Sequence, residues 1–149
     1  MPVWISKIKI KGIRGFNDET ILDLTPGLNL LIGKNGAGKT SCLQAIEWCL
    51  SGKMKYMEGD EFSREDAIVN LFNPSASGKV TLTLQTPKGE VEVSRTRKRG
   101  KSTTRGSSPL LVTIGDKVLE DEAAEAQLER ALGLSIDEIS NSIYFIKRH

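Results

Sequence analysis

Residues 33–40 read Gly33-Lys34-Asn35-Gly36-Ala37-Gly38-Lys39-Thr40 and satisfy the pattern G-x-x-x-x-G-K-[ST]. At average residue frequencies a chain of 149 residues meets that pattern by chance less than ~1% of the time. The pattern also constrains the fold, because such a loop belongs between a buried strand and a helix. Both flanks are present. Leu28 to Ile32 is apolar on both faces, as expected of a central, doubly covered strand in an α/β sheet. Beyond the loop, Leu43, Ile46, Cys49 and Leu50 recur at helical spacing, and Gly52 stands where a C′ stop belongs. The alternative is a glycine-rich turn that merely joins strand to helix; agreement of the motif with both flanks favours the loop.

The physical content of the motif is a phosphate cradle. Its glycines let the backbone wrap an anion with N–H groups pointing inward. The helix that begins near Lys39 adds its positive dipole end. The Lys39 ammonium is placed to neutralise the β- and γ-phosphates of a nucleotide, and the Thr40 hydroxyl to ligate Mg²⁺. The chain is therefore expected to hold a nucleotide.

The rest of the chain alternates or turns in readable ways. Ile8 and Ile10 alternate with Lys7, Lys9 and Lys11, which predicts a half-buried strand, and Thr20 to Leu24 predicts a second. Residues 53–78 have no regular pattern. Val80, Leu82 and Leu84 alternate with threonines, Pro87-Lys88-Gly89 turns the chain, and Val91 and Val93 alternate back. Leu110 to Ile114 and Val118-Leu119 predict another hairpin across Gly115-Asp116. Residues 121–132 predict an acidic amphipathic helix through Ala124, Leu128, Ala131 and Leu132, stopped by Gly133. Ser135-Ile136-Asp137-Glu138 is a capping box opening a last short helix. Ile143 to Ile146 predicts the start of one more strand.

Composition bounds the class without choosing within it. A chain of this length with 38% hydrophobic residues and a net charge of +2 can bury a core and is not wholly disordered. No apolar run reaches the ~18 residues that span a bilayer, and the start lacks a signal peptide's apolar block, so a soluble cytoplasmic domain without membrane contact is expected. Cys42 and Cys49 lie seven residues apart in one predicted helix, about 10 Å, too far for a disulfide. Charge is locally uneven. Residues 95–105 carry Arg95, Arg97, Lys98, Arg99, Lys101 and Arg105 with no acid, inside a stretch 95–109 that reads as a basic flexible loop. That loop is either a phosphate-contacting element for DNA or a solvated surface segment.

Three groups of residues together carry a family resemblance. They are the strand K-I-x-I-K-G-I-R-G-F, the segment D-L-T-P-G-L-N, and L-L-I-G-K-N-G-A-G-K-T-S followed by Gln44-Ala45-Ile46-Glu47-Trp48. The chain resembles the N-terminal part of an SMC-type ATPase, most of all the SbcC-like double-strand-break repair ATPases. The later hairpin, the Val93-Ser94-Arg95 strand end and the Asn141-Ser142-Ile143-Tyr144 run correspond as well. The implied fold is α/β, an ABC ATPase-like P-loop NTPase lobe over residues 1–149, with a mixed sheet, a central P-loop helix and peripheral antiparallel hairpins. The implied ligands are ATP and Mg²⁺, the metal on Thr40. The nucleotide-binding set is Arg14, Gly33, Asn35, Gly36, Ala37, Gly38, Lys39, Thr40, Ser41, Ser63 and Arg64; for Arg14, Ser63 and Arg64 it rests on the resemblance alone. The alternative for Arg14, left equally open by the residues, is a solvated cation in a turn.

The resemblance further implies an ATPase assembled from parts. A C-terminal lobe would follow a coiled coil, two heads would dimerise on ATP, and DNA and a nuclease subunit would be partners, in the cytoplasm or on the nucleoid of a prokaryote. Near the end Lys147 stands where the family has a Mg²⁺-holding glutamine, which either lies beyond residue 149 or is replaced here; His149 is not read as catalytic. Leu50-Ser51-Gly52-Lys53 mimics an ABC signature but directly ends the P-loop helix, so Gly52 reads as a stop. With no catalytic set complete in this sequence, the isolated chain is expected to bind ATP with little turnover. The competing reading is a self-contained P-loop NTPase or kinase that uses Asp116 as its Mg²⁺-site acid, although the Gly115-Asp116 pair reads better as a hairpin turn.

Overall fold

The computed structural model describes residues 3–13, 18–27, 39–52, 77–98, 109–135 and 138. These form β1 (Trp4–Lys11), β2 (Thr20–Asp23), α1 (Lys39–Ser51), β3 (Ser77–Thr86), β4 (Gly89–Lys98), β5 (Leu110–Ile114), β6 (Lys117–Glu120) and α2 (Asp121–Leu132). The expected central strand at 28–32 and the final run 143–146 lie outside the described residues.

Six strands make one sheet in the order β2-β1-β3-β4-β5-β6, and every pairing among the described residues is antiparallel. The β3–β4 hairpin sits in its middle and β5–β6 at one edge. Alternation sets the register. Ile8 faces Leu82, Leu82 faces Val93 and Val93 faces Val112, so one row of apolar side chains crosses four strands on one face. All four are 1% exposed or less. Where β1 meets β3, the register slips between Ile5 and Lys7, leaving Ser6 as a bulge. That residue stays bonded: its hydroxyl donates to the Thr83 carbonyl at 3.3 Å and accepts from Gln85 Nε2 at 3.0 Å.

Both helices contribute to the core that covers this apolar face. α1 packs on β3 and β4, and α2 on β5 and β6. Cys42, Ala45, Trp48 and Cys49 of α1 join Ala124 and Leu128 of α2 in a single core with the strands. The turns follow their residues. The β3–β4 connection is Pro87-Lys88, and the β5–β6 connection is Gly115-Asp116, with Gly115 at φ +57°, a left-handed conformation that glycine takes without penalty. Gly133 closes α2 at φ +70°, its N–H donating to the Glu129 carbonyl at 2.8 Å. The Ser135 capping box is present in reciprocal form: Ser135 N–H donates to Glu138 Oε2 at 3.3 Å, and Glu138 N–H to Ser135 Oγ at 3.1 Å.

Two expectations change. Leu43 was expected on the buried stripe of α1 but is 38% exposed, while Gln44, Glu47 and Ser51 are buried. The helix is enclosed on more than its apolar side, so hydrophobic spacing alone misplaces its faces. The basic stretch does not begin as a loop at 95. β4 runs to Lys98, and Arg95 and Arg97 are buried within it at 7% and 5% exposure. Residues 99–108 lie outside the described residues.

Candidate functional site

α1 is the element that positions the candidate site. It begins at Lys39, so Lys39, Thr40 and Ser41 form its first turn, where backbone N–H groups have no intrahelical acceptor. Helix first turns usually carry acids that offset the positive dipole end; this one has none. A helix N-terminus with no acid in its own first turn, directly after a glycine-rich sequence, suits a bound anion. The side chains of Lys39, Thr40 and Ser41, and residues Gly33, Asn35, Gly36, Ala37 and Gly38, lie outside the described residues. So do Arg14, Ser63, Arg64, Lys147 and His149. The described neighbour of Arg14 is Ile13, fully buried after the left-handed Gly12 at φ +68°.

The far end of α1 is described in full. Gly52 ends the helix at φ +73°, its N–H donating to the Trp48 carbonyl at 2.7 Å, which is the C′ stop expected from the sequence. Trp48 is the largest fully buried side chain among the described residues. Cys42 and Cys49 are both buried free thiols. The Cys49 thiol lies 3.6 Å from the Val80 carbonyl and 3.7 Å from that of Val93, and burial pushes its pKa up to about 12, against a smaller lowering by the Arg95 charge. Burial raises the Cys42 thiol as well. Neither is a nucleophile at neutral pH.

Residues 7–148 match the AAA_23 family, an AAA domain. The chain belongs to that family. This AAA domain is 41% identical over 56 residues to the Structural maintenance of chromosomes protein 3 homolog of Plasmodium falciparum, covering 38% of the chain and 5% of that protein. It is 31% identical over 144 residues to Arcadin-4 of Pyrobaculum calidifontis, covering 97% of the chain and 17% of that protein. The chain thus spans only a small part of these curated relatives. Among solved structures it is similar, with a TM-score of 0.71 and 20% identity, to one described as concerning ATP-driven dimerization and DNA stimulated activation of SMC ATPases; the match covers 96% of this chain and 86% of that one. The fold is that of an SMC/SbcC-like ATPase lobe.

Two features of this AAA domain escape a reading of the sequence. One is the pair Arg95 and Arg97, buried on the face of the sheet that carries α1, which itself holds the fully buried Glu47. The other is the contact that Arg95 makes: its Nε donates to the Cys49 carbonyl at 3.2 Å. The available signal was parity, since Val91, Val93, Arg95 and Arg97 are spaced by two and share a face. Asp116 lies exposed in the two-residue turn between the end of β5 and the start of β6. No described helix is long and apolar enough to cross a membrane.

Proposed function

We propose that this chain is the ATP-binding N-terminal lobe of an SMC/SbcC-like ATPase head. In that reading the head binds Mg²⁺·ATP, dimerises on it and hydrolyses it once a C-terminal lobe and a second head complete the site. The observation that carries the reading is the 33–40 motif leading directly into α1, a helix whose first turn holds no acid. Lys39 and Thr40 would hold the phosphates and Mg²⁺, the ion supplying charge neutralisation at the transferring phosphoryl group. Gly33, Asn35, Gly36, Ala37 and Gly38 would line the loop, with Ser41, Arg14, Ser63 and Arg64 at its margins. The physiological role we favour is DNA double-strand-break repair or related DNA processing in the cytoplasm, with DNA and a nuclease subunit as partners. Support comes from the resemblance of the sequence to SbcC-like repair ATPases.

Asp116 does not favour the competing self-contained NTPase, because a solvent-exposed hairpin turn leaves its carboxylate without a fixed direction. The test is equilibrium binding of Mg²⁺·ATP to the purified chain, with turnover measured in parallel. Binding with little turnover, abolished by Lys39→Ala, is the expected result. Steady hydrolysis by the monomeric chain at the rate of a complete ATPase, lost on Asp116→Ala, would replace this proposal with the competing one.

A further inference from the structure

We infer that Arg95 is a positioning residue of the nucleotide site, acting from β4 through the whole length of α1; the inference rests on the nucleotide reading above. An α-helix leaves its last carbonyls without intrahelical donors and its C-terminal end partially negative. A lysine or arginine in the helix's own last turn can answer that charge. α1 has none there. The cation comes instead from the sheet: Arg95 Nε donates to the Cys49 carbonyl, and the guanidinium passes over the C′ glycine, 3.3 to 3.5 Å from where a Gly52 Cβ would stand. Gly52 is thus required twice, by its φ of +73° and by the space the guanidinium occupies.

Burial of Arg95 makes this contact matter. At 7% exposure the guanidinium has given up most of its water, so its hydrogen bonds are not exchangeable for solvent as a surface arginine's would be. The neighbouring Cys49 thiol reaches toward the Val80 and Val93 carbonyls, so the last turn of α1 is tied to β3 and β4 by polar contacts from both sides. A helix of 13 residues is a rod about 20 Å long. Fixing one end against the central hairpin fixes the axial position and rotation of the other, where Lys39 and Thr40 begin the helix. Because phosphate binding depends on where those backbone N–H groups point, a shift at Cys49 is felt at the loop.

The experiment compares Mg²⁺·ATP affinity in the full chain, at a temperature where circular dichroism shows every variant folded. Arg95→Met removes the guanidinium, Arg95→Lys keeps a charge without the Nε donor, and Leu128→Ala removes core from α2, on the other side of the sheet's midline. Arg95→Met is expected to weaken Mg²⁺·ATP binding about tenfold and Arg95→Lys by less, since misplacements near 1 Å are costly at sites of this kind. Leu128→Ala is expected to lower the melting temperature at least as much while leaving affinity within about twofold. Unchanged affinity in Arg95→Met beside a lowered melting temperature would show a purely structural residue and overturn the inference. Where Arg95→Met does not fold, Gly52→Ala presses on the guanidinium from the opposite side and is read by the same criterion. Failure of the unaltered chain to bind Mg²⁺·ATP would remove the nucleotide reading itself, and the inference with it.

Discussion

Gly78→Ala is a one-carbon change whose sign is decided by the structure. Gly78 is the second residue of β3, opposite Arg97, beside the Gly12–Ile13 segment that leaves β1. A Cβ there would stand 2.7 Å from the Gly12 carbonyl oxygen and 3.2 Å from its carbon, and would press on Ile13 Cδ1. The isoleucine methyl can turn aside for about 0.5–1.5 kcal/mol. The Gly12 carbonyl is backbone and can move only with the end of β1. Overpacking of this kind costs about 1–3 kcal/mol. Opposing it, alanine restricts the unfolded chain and returns about 0.4–1 kcal/mol. The balance is a net loss of about 1–2 kcal/mol, or a melting temperature lower by roughly 2–8 °C for a chain of this size. Denaturant titration followed through the buried Trp48 measures it, with the midpoint falling at constant slope. A variant as stable as the parent, or more so, would mean that β1 and β3 do not approach as closely as described and would refute the reasoning. The perturbed segment leads straight into Arg14, so the same variant tests whether that end of β1 is rigidly held.

Two other perturbations read different layers. With the Cys49 thiol pushed up from 9.0 to about 12, the folded chain holds its proton where the unfolded chain has lost it. Stability from this group is complete below pH 9.0 and is lost as pH rises toward about 12. Between about pH 8 and pH 10.5 the unfolding free energy from denaturant titration should therefore fall by about 2 kcal/mol more in the parent than in Cys49→Ala; an equal fall in both would refute the buried thiol. Leu128→Ala, at a fully buried position in α2, should cost about 2–5 kcal/mol in the same titration. A loss below about 1 kcal/mol would mean that α2 does not seal the β5–β6 side of the core.

What the sequence made legible was local. Alternation at Ile8 and Ile10, at Val80, Leu82 and Leu84, and at Val91 and Val93 placed three strands with the correct face inward, because period two needs no distant partner to be seen. Turn chemistry placed the two hairpins, and the glycines at 52 and 133 placed both helix ends. The P-loop motif identified a candidate site whose described part is the start and body of α1. What was not legible was burial of polar groups. Gln44 and Glu47 look like the solvent side of an amphipathic helix, yet both lie inside. Nothing in residue type shows that a helix will be enclosed on a second side, since enclosure depends on elements far away in sequence.

Arg95 and Arg97 show the same limit from the strand side. Composition merged them with Arg99, Lys101 and Arg105 into one basic loop, although parity with Val91 and Val93 already set them on the inner face. Charge outweighed parity in that reading because isolated arginines are seldom buried. The structure reverses the weighting: a buried arginine is tolerable where acceptors wait for it, and the C-terminal carbonyls of a helix without its own cation are such acceptors. A basic run in a sequence of this kind is therefore better divided by position than by charge. Residues continuing a strand's inward parity belong to the core and to the helix packed on it.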